Sequence, residues 1–278
     1  MFNVSGSQLL LFYTIFYIVL GLLFFVCMRV LFTTLDKQEP TWTMERSLIG
    51  VNPGLGFRPM PADTAEGSLI WYNIANDTSI EKWVKLIDDF LEPYRSNQTG
   101  HNYANCDFAK NPARGEVCVN TLQDLGNCNA ARKYGYNTNA PCIFLKLNRI
   151  YGWMPEFYTA SEPGMPQDLQ MHINNTPPER RDQIWVSCNG VDNVDKEFIS
   201  SFTYYPHGFA GYYYPFRNDP HYLSPIVAVE VRLKTTNVIV NVECRAWARN
   251  IQYQGGSLNR EGSVTFEIQI DTSETSKL

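Results

Sequence analysis

Charge is missing from the start of this chain. Residues 1 to 28 contain no Lys, Arg, Asp, Glu or His. A cleaved secretory leader opens on a positive n-region and closes on a small-residue site. Neither is present here, so the first apolar run is expected to be retained. Catalytic signatures are missing too. No G-x-x-x-x-G-K-[ST] loop, no G-x-G-x-x-G after a strand and no G-x-S-x-G elbow occurs. The four histidines, His101, His172, His207 and His221, are scattered without H-x-x-x-H spacing, so no metal site is expected. Asp88 and Asp89 are adjacent on a predicted helix, and their side chains diverge by about 100°; they read as a solvated edge. A carboxylate pair brought together from distant loops leaves no trace in sequence. There is no basic block, and the net charge is −5, which argues against a nucleic-acid partner. Tandem repeats and low-complexity segments are absent as well. No enzyme, cofactor or metal is expected.

What is there begins with Leu9 to Met28, twenty residues without a charge. At about 1.5 Å per residue they match the roughly 30 Å hydrocarbon core of a bilayer. The reading is residues 1–8 as a short uncharged tail, 9–32 as a transmembrane helix, 33–70 as an irregular Pro- and Gly-containing stalk, and 71–278 as a folded domain. Aromatics at 14% and charged residues at 18% give that domain enough apolar matter for a core.

Orientation rests on opposing signals. Arg29, Lys37 and Arg46 all lie after the uncharged run, at or beyond the C-terminal end of the span, and by the positive-inside rule alone they place the domain in the cytoplasm. Against this, Cys106, Cys118, Cys128, Cys142, Cys188 and Cys244 form an even set outside the span, as a disulfide framework does. Asn76, Asn97 and Asn174 each open an N-x-S/T sequon. The weight falls on a tail inside and a domain outside. Asn3 then opens a cytoplasmic, unmodified sequon, and Cys27 is a buried free thiol in the span. Six cysteines allow fifteen connectivities. The simplest is nearest-neighbour: Cys106–Cys118, Cys128–Cys142 and Cys188–Cys244.

One helix is well signalled. Thr78 and Glu81 have capping-box spacing, Ile80, Trp83, Val84, Ile87, Phe90 and Leu91 share a face, and Pro93 stops it. Beyond it the period turns to two. Cys142 to Ile150, Val227 to Leu233, Val238 to Ala246 and Val264 to Ile270 read as strands of an antiparallel sheet or sandwich. No βαβ pattern recurs, so a parallel sheet is not expected.

Two features suggest a partner. Between Phe202 and Phe216, eight of fifteen residues are aromatic. Pro206, Gly208, Gly211 and Pro215 interrupt them, giving either interface anchors on a rigid loop or a core under that loop. In the span, Tyr13, Tyr17 and Gly21 fall on one helix face. Tyrosine hydroxyls at that depth favour a partner helix, and glycine lets a backbone approach.

Further motifs carry a resemblance. Leu10-Leu11-Phe12-Tyr13, Ile15-Phe16-Tyr17, Leu125-Gly126-Asn127-Cys128, Tyr134-Gly135-Tyr136, Pro141-Cys142-Ile143, Lys146-Leu147-Asn148-Arg149, Tyr213-Tyr214-Pro215, Tyr222-Leu223-Ser224-Pro225 and Glu243-Cys244-Arg245-Ala246 occur in this order. In them the chain resembles the β subunits of Na⁺/K⁺- and H⁺/K⁺-transporting P-type ATPases over essentially its whole length. The resemblance implies a single-pass type II plasma-membrane glycoprotein. Its outer domain would be an immunoglobulin-like β-sandwich with one added helix and the nearest-neighbour disulfides. It implies no catalysis of its own. The implied role is binding a catalytic α subunit, supporting its folding and delivery, and tuning K⁺ affinity, with a small single-span regulatory subunit as a further partner. Tyr13, Tyr17 and Gly21 would face an α helix. Tyr213, Tyr214, Pro215, Phe216 and Tyr222 would meet an α loop. Pro215-Phe216-Arg217-Asn218 and the short connection to Tyr222 depart from the vertebrate pattern and resemble an invertebrate, arthropod-like version. An adhesion or junction glycoprotein of the same fold, or a lectin using the aromatic loop, are the competing readings.

Overall fold

The computed structural model describes residues 6–36, 39–61, 67–120, 122, 125–254 and 261–272. The Asn3 sequon and Lys37 lie outside the described residues. The chain divides into two units, Met1–Thr43 and Met44–Leu278.

The first unit is built on helix α1, Gly6–Thr34. It starts before and ends after the expected 9–32. None of its residues is buried, which is what an apolar helix looks like when its solvent is lipid. Cys27 is a free thiol on this exposed surface. The thiol is free, as expected, and none of the described residues covers it, so its burial falls to the bilayer or a partner helix.

In the second unit, four strands form one sheet in the order β1 (Leu55–Arg58), β5 (Cys142–Leu147), β9 (Ile226–Leu233) and β7 (Ile199–Tyr205). The other sheet has five: β2 (Leu69–Asn73), β11 (Ser263–Asp271), β10 (Ile239–Trp247), β6 (Gln183–Gly190) and β8 (Gly208–Ala210). A minor pair joins β3 (Tyr103–Ala104) to β4 (Val117–Cys118). The alternation in β10 and β11 turns Val240, Val242, Cys244, Phe266, Ile268 and Ile270 into the core. The opposite sheet supplies Phe144, Val227, Val229 and Val231 to the same core. The Phe57 and Phe266 rings meet at 5.1 Å across it.

The structure corrects several expectations. Residues 33–70 are not wholly an irregular stalk. Leu55–Arg58 pairs with β5, and Met44 packs on the core; β1 turns only Leu55 and Phe57 inward, too few residues to show a period. The sheet is not purely antiparallel, because β2 runs parallel to β11 at the edge. The strand expected over 142–150 stops at Leu147, where the Asn148 amide donates to Gly54 O.

Helix α2, Asp77–Arg95, buries Ile80, Trp83, Ile87, Leu91 and Tyr94. Its N-cap is Asn76 rather than Thr78: the Asn76 Oδ1 accepts from the Thr78 amide at 3.0 Å, a stronger capping choice than threonine. Pro93 does not stop it. Proline removes only its own donor, and the Ser96 amide still closes the last turn on Glu92 O. Asp88 is not a free edge, since it accepts from Tyr134 Oη at 2.6 Å and from Arg95 Nη2 at 2.8 Å. Burial works to raise the Asp88 pKa, but these two donors outweigh it and hold the carboxyl below its ordinary value.

Two further helices escaped the sequence reading. Helix α3, Gln167–Asn175, lays Leu169 and Ile173 over the cross-strand pair Trp185 and Trp247. Helix α4, Asn193–Phe198, is fixed by a capping box between Asp192 and Asp195. The cysteines are bonded 106–118, 128–142 and 188–244. Cys188 and Cys244 are directly opposed in the β6–β10 register. The chain-entropy model assigns about 3 kcal/mol to each short loop and about 4 to the long one.

Candidate functional site: an aromatic groove and a tyrosine stripe

The aromatic-rich stretch divides between core and surface. Phe209 on β8 is fully buried, and Phe202, Tyr204 and Tyr205 pack against the core from β7. These are structural. The Tyr204 hydroxyl accepts from the Cys188 amide at 2.8 Å. Tyr205 lies so close to Gly126 (φ +51°) that a Cβ there would stand 2.1 Å from its ring.

After β8 the backbone makes a single turn at Gly211–Tyr213. Gly211 is required: its amide donates to Asp182 O, and a Cβ would meet Phe157 at 2.5 Å. The turn throws Tyr212 and Tyr213 to the surface as a pair of rings 4.6 Å apart. Below them lies a groove of about 640 Å³, walled by Tyr212, Tyr213, Tyr214, Pro215 and Tyr222 and faced by Glu116, Val117, Cys118, Gly152, Met154, Arg217 and Asp219. On the other side Tyr212 and Tyr213 face a second hollow of about 290 Å³ with Phe108, Asn120 and Arg180.

The groove's tyrosines are held neutral. Burial pushes Tyr213 and Tyr214 well above the usual phenol range and Tyr222 up to about 12. Tyr213 Oη donates to Val119 O at 3.3 Å. The Tyr214 hydroxyl is buried without a partner among the described residues, and its ring meets Trp153 edge-on at 5.8 Å. Of the residues singled out from sequence, Tyr213, Tyr214, Pro215 and Tyr222 line this one groove. Phe216 instead tucks behind it, its ring tilted against Tyr222 at 5.1 Å. Met154, Glu116 and Asp219 were not foreseen; they come from separate loops and carry no local pattern.

In α1, Tyr13 and Tyr17 are 48% and 62% exposed, with rings 6.3 Å apart and nearly parallel. Phe12 and Phe16 form a second such pair. A Cβ at Gly21 would meet nothing within 4 Å, so the glycine leaves open space on the helix surface. Asn76, Asn97 and Asn174 are all exposed. The Asn76 cap uses the side-chain oxygen, leaving the nitrogen, the atom a glycan takes, free of that bond.

Among the described residues no group of three or more His, Cys, Asp or Glu side chains could hold a metal ion. The groove presents neutral phenols on one wall, faced by Glu116, Arg217 and Asp219, a mix of aromatic and charged groups that suits recognition of another protein. The fold defines a class: a disulfide-braced β-domain preceded by one helix long and apolar enough to cross a membrane. A family model described as the sodium/potassium ATPase beta chain matches residues 4–266. The chain is 50% identical over 268 residues to the sodium/potassium-transporting ATPase subunit beta-1 of Drosophila melanogaster, covering 96% of this chain and 86% of the relative. It is 44% identical over 279 residues to beta-2 of the same fly, with the same shares. It is 28% identical over 284 residues to human beta-2, covering 96% and 87%. The chain belongs to the Na⁺/K⁺-ATPase beta chain family, the non-catalytic subunits of P-type ATPase complexes.

Proposed function

We propose that this chain is the β subunit of a plasma-membrane Na⁺/K⁺ pump. It binds the catalytic α subunit at two places, through Tyr13, Tyr17 and Gly21 in the bilayer and through the groove of Tyr213, Tyr214, Pro215 and Tyr222 outside, with Phe216 supporting the groove wall. The carrying observation is the Tyr13–Tyr17–Gly21 stripe. Two phenols and a bare backbone lie on an apolar helix that buries none of them, and in lipid each hydroxyl gains by finding a partner helix.

Two weak contacts on one tethered chain reinforce each other through effective concentration. A groove that favours one pump state shifts its K⁺ affinity by the difference in binding free energy, about 1.4 kcal/mol for tenfold. The sealed outer domain gives α a preformed surface during folding and delivery. Bonded cysteines fit an oxidising compartment, so the domain faces outward and the tail inward. Asn76, Asn97 and Asn174 are the proposed glycan sites.

The test is capture of the tagged full chain from its native membranes in mild detergent, followed by mass spectrometry. Stoichiometric recovery of a P-type ATPase polypeptide is expected. Recovery of junction proteins without an ATPase would overturn the reading in favour of adhesion.

A further inference from the structure

Arg149 lies outside the groove, yet it touches the backing of the groove wall. Its guanidinium carbon sits 5.2 Å from the ring centre of Phe216 and 5.2 Å from that of Tyr222. Nε donates to Ser224 Oγ at 2.9 Å, and Nη2 donates to Tyr222 O at 3.2 Å. One side chain thus engages two rings, one hydroxyl and one carbonyl of the segment between Phe216 and Ser224. The backbone adds to the grip from the same loop: Tyr151 bridges to Phe216, and the Gly152 amide donates to Phe216 O at 2.8 Å. Beneath, Tyr94 Oη donates to Ser224 O at 2.8 Å.

Resting on the reading of the groove as the α-binding surface, we infer that Arg149 is a positioning residue. It fixes the return segment so that Tyr222 and Pro215 stand as one preformed wall. A planar, always-charged guanidinium does this as no other side chain can. It stacks on aromatic faces while its edge donors reach oxygens in the same plane, whereas a lysine ammonium is a point charge that cannot do both. The residue is exposed and its contacts are all on one side, so its loss leaves the core of the sandwich intact. What it changes is the order of the free surface. A wall ordered before binding lowers the entropy cost of the complex and lengthens its lifetime.

The experiment compares wild type, Arg149→Lys, Arg149→Met, Phe216→Ala and the Met/Ala double variant as full chains co-expressed with the catalytic subunit that wild type captures. Two readouts are taken: thermal unfolding of the outer domain and the dissociation rate of the complex in mild detergent. Arg149→Met is expected to unfold within a few degrees of wild type yet dissociate roughly tenfold faster. Arg149→Lys should fall between, and the double variant should dissociate no faster than Phe216→Ala alone. A wild-type lifetime in Arg149→Met overturns the inference, as do additive effects in the double variant. A large drop in unfolding temperature also overturns it, by making the role structural. If wild type itself captures no ATPase, the reading of the groove falls, and this inference with it.

Discussion

Helix α1 buries none of its residues within the chain, whereas Ile70, Tyr72, Phe144, Phe266 and Ile268 in the outer domain are sealed to zero exposure. The two regions contain similar side chains and differ in who supplies their surroundings. In the outer domain the neighbours come from the same chain. Tyr72 Oη donates to Thr138 O at 2.9 Å, and Trp83 Nε1 donates to Trp71 O at 2.8 Å. In the span, Tyr13 and Tyr17 meet each other and the Phe12 and Phe16 rings of their own helix, and they stay exposed. An aromatic ring with a hydroxyl is thus a core residue in one region and an interface residue in the other. The groove lies between these extremes, its tyrosines half-buried by their own fold and half offered to another.

The contrast can be broken most severely by reduction. Opening all three disulfides removes about 10 kcal/mol by the loop-entropy model, comparable with the whole stability of a domain. Near-UV circular dichroism of the outer domain should collapse, while the helical signal of α1 in detergent should persist. Next comes the core. Phe266→Ala leaves a cavity against Phe57 and should cost about 3–5 kcal/mol in urea denaturation.

A smaller, pH-dependent effect comes from His207. Burial first, then the nearby His172 ring at 4.1 Å, push its pKa down to about 3, against a small upward pull from its bond with Val186. The folded state therefore refuses a proton that the unfolded chain accepts below about pH 6.5. Stability is full above that pH and falls as acid is added, until the folded pKa is reached. At pH 5 the expected loss is about 2 kcal/mol relative to pH 7.5, and His207→Phe should flatten this limb of the stability–pH curve. The smallest effect tests the α2 cap. Asn76→Ala should cost about 1 kcal/mol, whereas Asn76→Asp keeps the cap while removing the sequon and should cost less. The pair separates capping from glycosylation in a thermal melt.

Where one face of an element is buried and the other is wet, the sequence was readable. Strands β10 and β11 and the apolar face of α2 fall in this group; β9 was readable because Val and Leu alternate with Ala, Glu and Arg, although the fold buries nearly all of it. Strand β6 was not readable, because α3 covers its outer face. Trp185 packs under Leu169 and Ile173 while Ile184 and Val186 face the other way into the main core, so Gln183–Gly190 shows no alternation. Helix α3 itself places only two buried residues on one face, too few for a period. The groove was legible as composition but not as geometry. Eight aromatics announced a surface or a core, and only the fold could show that Phe209 serves the core while Tyr213 and Tyr214 line the groove. Arg149 appeared only as the end of a family-like motif, and its contacts could not be read there, since Phe216, Tyr222 and Ser224 lie some seventy residues away.

The most direct test of the central claim, that α1 carries a partner-binding stripe, is co-purification of the full chain against Tyr13→Leu/Tyr17→Leu with its catalytic subunit. Retention of the double variant should be at least tenfold weaker, with unfolding of the outer domain unchanged. Undiminished retention would contradict the claim and reduce the span to a membrane anchor.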